Sequence, residues 1–583
     1  MSGFFRDLAP LLPYWRRYRR AYLTGLLAVV AATGLQLSSP WILRYGIDAL
    51  VRKEAPGRIA LYALALVAVT ALAGLFRYLT RMTMIGASRW IEYDLRNDYF
   101  AHLLRMSPSF YHRWRTGDLM ARATNDLNAV RSMLGPGIMQ ASGTVLVALG
   151  AVTQMFSLDA TLAAVALGPL PLISAVVFHL MRRIRHLYDR IQATYSRLSE
   201  KAQENLSGIR IVKSYVAENR EIELFGRIND EYVRRNLRLA KVRGSLVGTI
   251  EILAGVGILC VLWIGGYRVI RGHMSLGELV AFMSFLAMLS WPMIAIGWTL
   301  NLLEQGRASL VRIQQVMEER PEIADGPQTN LSHDRVEGEI RFDRVSFRYD
   351  GPFVLREIDL EIPRGASVGI VGRTGAGKST LIHLVPRLYD PTEGCVRIDG
   401  HDVREIPLGV LRRHVAVVPQ ESFLFSDTIA ANIAFGEPEV DEGRILWAAE
   451  MAGLAEDIRS FPHGLETVLG ERGINLSGGQ KQRVALARAL IRDPAVLILD
   501  DALSAVDADT EERILRNLRS IMSGRTILVV SHRLSVVKDL DFIVVLDEGR
   551  IAEVGTHDEL LRLRGIYWEM YEKQRLEATL AIL

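Results

Sequence analysis

Hydrophobic residues follow two different rhythms along the 583-residue chain. Up to about residue 301 they form runs long enough to cross a hydrocarbon core of about 30 Å, at residues 21–43, 58–80, 134–156, 159–182, 246–268 and 276–300. Beyond residue 336, short β-branched runs alternate with charged, helix-favouring stretches, as in a soluble α/β domain. The pattern predicts an all-α transmembrane domain of six helices over residues 1–320 and a polar linker over 321–336, marked by Gly326-Pro327. An α/β domain follows over 337–583.

Six crossings return the chain to its starting side. The basic cluster Arg16 to Arg20 places the N-terminus in the cytosol, and the arginine-rich segments 81–133 and 182–243 follow it there. The loops around Arg44–Gly57, Phe156–Asp159 and Arg268–Ser275 are then short and external. Both cytosolic segments keep helical composition and are too long for structureless loops, so the spans are expected to continue as helices into the cytosol. Reversals are expected near Ser107–Asp118 and Glu204–Lys213. The first twenty residues have no small-residue cleavage site of the kind a signal peptide carries, and read as an amphipathic interfacial helix.

Composition adds little to this picture. A net charge of +4 could suggest nucleic acid, but the arginines flank the apolar runs, where topology accounts for them, so no nucleic-acid partner is expected. Cys260 and Cys395 are the only cysteines, and imply no disulfide framework.

The chemistry lies in the soluble half. After the strand Ala366 to Val371 come Gly372, Arg373, Thr374, Gly375, Ala376, Gly377, Lys378, Ser379 and Thr380, then a helical run: the strand, glycine-rich loop and helix order of a phosphate-binding loop for ATP. Its backbone NH groups can wrap phosphate, Lys378 can reach the β- and γ-oxygens, and Ser379 can ligate Mg²⁺. Asp500 ends the apolar strand Val496–Leu499 and is the candidate second Mg²⁺ ligand. Between them, Leu476, Ser477, Gly478, Gly479 and Gln480 open another helix and offer a second anion-binding surface. One γ-phosphate rarely needs two such surfaces within one chain, so this one is expected to face ATP held by another copy of the domain.

With its LSGGQ run, phosphate-binding loop and six-span membrane half, nearly the whole chain resembles a type IV ATP-binding-cassette exporter, as a half-transporter. The resemblance implies an ABC nucleotide-binding domain and an ATP-hydrolysing translocase, placed in the cytoplasmic (inner) membrane of a bacterium. It also implies that Tyr349 stacks on adenine, and that Gln420 senses Mg²⁺ and the γ-phosphate. By the same resemblance, Ser504 to Asp507 form the inter-domain loop and His532 hydrogen-bonds the γ-phosphate. The two reversals match the coupling helices of that family, and Glu471 to Gly473 match the loop that meets them.

One residue departs from the family pattern. Where exporters carry a glutamate that positions the attacking water, this chain has Asp501, shorter by one C–C bond of about 1.5 Å. A misplacement near 1 Å costs on the order of 100-fold in rate. The expectation is a heterodimer resembling asymmetric exporters such as the antigen-peptide transporter: this chain's own site binds ATP but hydrolyses it poorly, while its intact signature completes the site of a second half-transporter that carries the glutamate. Two other readings stay open at this stage, a homodimer that uses Asp501 as a working base and an ATP-binding regulatory subunit without transport. Cargo is expected among hydrophobic drugs, peptides or lipids. Candidate cavity residues at membrane depth are His179, Glu251, Trp291, Trp298 and Asn301.

Overall fold

The computed structural model describes residues 6–168, 170–437, 439–521 and 524–582. Two compact units emerge, one of Met1–His102 with Gly117–Glu319 and the other of Leu103–Thr116 with Arg320–Leu583.

Among its described residues, the regular structure of the first unit is helical. Among the described residues, four helical stretches are long and apolar enough to cross a membrane by length and composition: Arg19–Val51, Pro56–Arg105, Thr116–Leu158 and Leu276–Met317. Gly255–Ile270 is a shorter apolar stretch at the end of the Glu218–Ile270 helix, and Leu170–Ser207 accounts for most of the remainder. Pro169, in the fourth apolar run, and the first five residues of the expected interfacial helix lie outside the described residues. Large apolar side chains such as Leu61, Leu64, Val67 and Trp263 stand exposed on these helices, an apolar surface of the kind that lipid or a partner covers.

The helices run well past the apolar segments, through the π-helical turns Arg81–Ile85, Arg122–Asp126 and Met133–Gly137. Each expected reversal carries a short helix, Pro108–Arg113 at the first and Ile209–Ser214 at the second. The first of the loops expected to be external is shorter than the sequence suggests. Nothing breaks the Arg19–Val51 helix before Lys53, which turns left-handed at φ 55°, and Pro56 then opens the next helix. Gly277 allows a close backbone contact between two of these helices, since a Cβ there would lie 2.3 Å from the carbonyl oxygen of Arg44. Near the N-terminus, the Leu12–Arg17 helix leaves Leu12 and Trp15 exposed. It is tied to the Pro56–Arg105 helix by Tyr14, which donates to Asp98 at 2.5 Å, and by Tyr18, which donates to Asp94 at 2.9 Å.

The described residues of the second unit form ten strands: β1 (Ile340–Phe347), β2 (Leu355–Ile362), β3 (Ser367–Gly372), β4 (Glu393–Ile398), β5 (His401–Asp402), β6 (Val415–Val418), β7 (Val496–Asp500), β8 (Thr526–Val530), β9 (Phe542–Asp547) and β10 (Arg550–Gly555). One sheet has the order β2-β1-β4-β5 and is antiparallel; the other has the order β10-β9-β3-β8-β7-β6, parallel from β9 to β6. β7 and β8 are buried along their whole length, which explains their unbroken apolar runs: a central parallel strand is covered on both faces and has no polar side. Parallel pairing also aligns strand ends, so the segments that follow β3, β8, β7 and β6 emerge along one edge of the sheet.

Candidate functional site

That edge collects most of the residues singled out in the sequence. The phosphate-binding loop leaves β3 at Gly372, whose φ of +152° and whose position beside β9 exclude a side chain; a Cβ would sit 2.2 Å from the carbonyl oxygen of Leu546. Gly375 and Gly377 continue the loop at φ +84° and +94°. Lys378 is 6 % exposed and its ammonium donates to the carbonyls of Gly372 at 2.9 Å and Arg373 at 3.0 Å, folding the loop around itself. Burial pushes the pKa of Lys378 down, against the pull of Asp500 and Asp501.

Two strands away, Asp500 ends β7 at 4 % exposure. Burial pushes its carboxyl above the usual range, although Ser379 donates to Oδ1 at 3.1 Å. These two oxygens fit a cation: neighbouring ligands in an octahedral Mg²⁺ shell, each about 2.1 Å from the metal, lie about 3.0 Å apart. His383, one turn further along the helix that Lys378 opens, is held below its ordinary pKa by burial.

Asp501 follows in a left-handed conformation, φ +47°. Its NH donates to the Val530 carbonyl of β8 at 2.9 Å, and its own carbonyl accepts from Ser504 NH at 3.2 Å, which closes a turn. Gln482, on the helix opened by the signature run, donates to Ser504 Oγ at 3.0 Å and accepts from Ala505 NH at 3.0 Å. The point from which the Asp501 carboxylate hangs is therefore fixed from both sides. Aspartate tolerates this backbone region better than glutamate does.

His532 follows β8 and Gln420 follows β6, both with exposed side chains. Tyr349 is 45 % exposed and shares a hydrogen bond with Thr380 Oγ1 at 3.2 Å, so its ring stands beside the phosphate-binding loop. An edge-on contact with Tyr389, 5.4 Å between centroids, holds that ring. Tyr389 OH in turn lies 3.2 Å from His112 Nε2 on the first reversal helix, and Ser107 on the same segment accepts from the NH groups of Glu322 and Ile323. Neither Tyr389 nor His112 stood out in the sequence, because only the folded chain brings them beside Tyr349.

The signature run stands elsewhere on the domain. Leu476 is buried while Ser477 and Gly478 are exposed. Ser477 caps the Gly478–Leu490 helix, accepting from Gln480 NH while Gln480 Oε1 accepts from Ser477 NH. Gln480 also donates to Asp457 at 2.7 Å. This helix packs through Val484, Leu486 and Leu490 into one apolar core, whereas the helix after the phosphate-binding loop packs through Leu381, Ile382 and Leu384 into another. The two candidate anion-binding surfaces thus rest on separate cores of one domain. Gly479 touches the segment after Asp501, where a Cβ would lie 2.7 Å from Ala505 O, between Ser504 and Asp507. Glu471–Gly473 form a 3-10 turn just upstream.

The five membrane-depth candidates lie on three helices, and all are exposed. Trp291, Trp298 and Asn301 occupy one stripe of the Ser290–Met317 helix at helical spacing, while His179 and Glu251 lie on Leu170–Ser207 and Glu218–Ile270.

Comparison with known proteins agrees with this architecture. The family described as ABC transporter transmembrane region matches residues 22–293, and the family described as ABC transporter matches residues 355–504. The multidrug resistance-like ATP-binding protein MdlA of Escherichia coli (strain K12) is 36 % identical over 577 residues, covering 99 % of this chain and 98 % of that protein. An ATP-dependent lipid A-core flippase of Syntrophus aciditrophicus (strain SB) is 33 % identical over 564 residues, covering 97 % and 94 %. A solved structure of a bacterial Atm1-family ABC exporter with ATP bound aligns with a TM-score of 0.78 at 30 % identity, covering 95 % of this chain and 98 % of that one. With a helical membrane region and an ATP-hydrolysing α/β cassette on one polypeptide, the chain belongs to the ABC transporter family.

Proposed function

We propose that this chain is one half of a heterodimeric bacterial exporter that moves hydrophobic drugs, lipids or peptides out of the cytosol by alternating access. Multidrug and lipid A-core relatives support the cargo class. The asymmetric assembly rests on the shortened Asp501 beside an intact signature run, a pattern that resembles the B subunit of the multidrug exporter TmrAB. Six spans carry the pathway, with the N-terminus and the cassette in the cytosol. His179, Glu251, Trp291, Trp298 and Asn301 are its candidate cargo contacts.

At this chain's own site, backbone NH groups from Gly372 to Thr380 and the Lys378 ammonium bind the ATP phosphates, and Tyr349 supports the adenine. Ser379, Asp500 and Gln420 would hold Mg²⁺, which neutralises phosphate charge when bound. Hydrolysis adds water to the γ-phosphorus as the bond to the bridging oxygen breaks, and the residue after Asp500 must orient that water. Asp501 occupies this position one methylene short. The observation that carries the proposal is its pinned backbone: hydrogen bonds to Val530 and Ser504 leave little freedom to recover the missing length. His532 positions the γ-phosphate. Ser477, Gly478 and Gly479 present their hydroxyl and NH groups to ATP bound by the partner, and Ser504 and Asp507 line the same interface.

The deciding measurement is ATP turnover by the purified chain alone and with a glutamate-bearing partner. Little turnover alone and strong turnover in the pair is expected. Robust hydrolysis by a homodimer of this chain would overturn the asymmetry and leave Asp501 as a working base.

A further inference from the structure

His532 sits on a three-residue bridge between β8, which ends at Val530, and the short helix Leu534–Val537. Its side chain is exposed, so the direction in which it points is set by the backbone of the bridge. Arg533 holds one side, donating to the carbonyls of Leu503 and Ser504 and pairing with the buried carboxylate of Glu511 at 2.6 Å. The other side is held by one side-chain amide from far along the chain. Gln574 donates through Nε2 to the His532 carbonyl at 2.7 Å and accepts through Oε1 from Leu534 NH at 3.0 Å. A glutamine suits this role because it carries a donor and an acceptor in one plane.

The helix that presents this amide is itself anchored. The Glu553 carboxylate of β10 accepts from the NH groups of Ile566 and Tyr567, closing the start of the Ile566–Ile582 helix. Tyr567 is fully buried, its hydroxyl 2.7 Å from His557 Nδ1, and burial pushes its pKa up to about 12. Tyr571 packs against the same core one turn on, and Gln574 follows on that face. Glu569 of this helix also pairs with Arg373 of the phosphate-binding loop at 3.5 Å. One helix thus reaches both the loop that grips phosphate and the bridge that carries His532.

We propose that Gln574 is a positioning residue that orients His532 toward the γ-phosphate, making the Ile566–Ile582 helix part of the ATP-reading machinery. The proposal rests on the reading of His532 given above. A displacement near 1 Å is enough to weaken such a contact severely. Since only ATP carries a γ-phosphate, the effect must appear as a loss of discrimination between ATP and ADP.

The test uses the full-length protein in nanodiscs, with a fluorescent ATP analogue displaced by Mg-ATP or by Mg-ADP. His532→Ala and Gln574→Leu are each expected to lower the ATP-over-ADP preference about tenfold, the worth of one hydrogen bond to a charged group, with ADP affinity within about twofold of wild type. The double variant should be no worse than His532→Ala alone. Gln574→Glu keeps the acceptor for Leu534 NH and loses the donor to His532, so it separates the two halves of the clamp. Hydrogen exchange provides a measurement independent of nucleotide: the Leu534 amide should lose protection in Gln574→Leu. An unchanged preference in Gln574→Leu beside a lost one in His532→Ala, or an unchanged Leu534 exchange rate, overturns the proposal. An unchanged preference in His532→Ala overturns the γ-phosphate reading of that histidine, and the proposal with it.

Discussion

Ser379 donates its hydroxyl to Asp500 Oδ1 at 3.1 Å across 121 residues of chain, joining the phosphate-binding loop on β3 to the end of β7. The contact places two hard oxygens, the candidate Mg²⁺ ligands, at the spacing of neighbours in a Mg²⁺ shell. It also leaves a carboxylate buried where its ionised form is penalised.

The first prediction follows from that penalty. Because burial raises the folded-state pKa of Asp500 above its ordinary value of 3.8, the folded protein holds its proton to higher pH than the unfolded chain does. Stability from this group is therefore lost as pH rises from near 3.8 through the folded pKa, and the deficit persists at neutral pH. Asp500→Asn should leave the nucleotide-free protein at least as stable as wild type by thermal unfolding. The same variant should lose Mg²⁺-dependent ATP binding by about tenfold or more, roughly 1.4 kcal/mol. A lower Tm without nucleotide would contradict the burial argument.

Asp501 carries the second. In the complete transporter, Asp501→Glu should raise hydrolysis at this chain's site by on the order of 10- to 100-fold, recovering the reach that the shorter side chain lacks. It should also cost about 1 kcal/mol of stability, since glutamate lacks aspartate's tolerance for a left-handed backbone. Single-turnover hydrolysis and thermal unfolding read the two effects separately, and an Asp501→Ala variant with strongly reduced overall turnover would contradict the assignment.

Ser477 offers a test in trans. Ser477→Arg should abolish turnover of the assembled complex while this chain still binds ATP, because in the proposed head-to-tail arrangement the damaged surface faces the partner's nucleotide. Ser477→Ala should cost about 1 kcal/mol through the lost helix cap. Normal turnover of Ser477→Arg would exclude the head-to-tail arrangement.

For cargo, Trp298→Ala and Glu251→Gln should shift the apparent affinity for a lipophilic dye in transport assays. Because Trp291, Trp298 and Asn301 share one helical stripe, Trp291→Ala should act in the same direction as Trp298→Ala. Unchanged cargo affinity in all three variants would remove these residues from the pathway.

Much of this protein was legible in one dimension because its signals are local. An apolar run of bilayer length, a glycine-rich turn between strand and helix, and a carboxylate ending a buried strand each constrain the backbone through neighbours a few residues away. The helical extensions beyond the spans were legible for the same reason, since their composition allows little else. The helix end at Val51 was less so, because a helix continues until something stops it and polarity alone does not. His112 and Tyr389 gave no local signal, being separated by 277 residues and joined only by folding.

The sequence by itself determined the order of the two halves, the phosphate-binding loop, the signature run and the shortened carboxylate at position 501. Tertiary structure alone decided how rigidly that carboxylate is mounted, that Ser379 and Asp500 meet, and that Gln574 holds the bridge bearing His532. The physical reason is that parallel strand pairing and helix docking set distances between residues remote in the chain, and no local preference for turn, helix or strand encodes a distance of that kind.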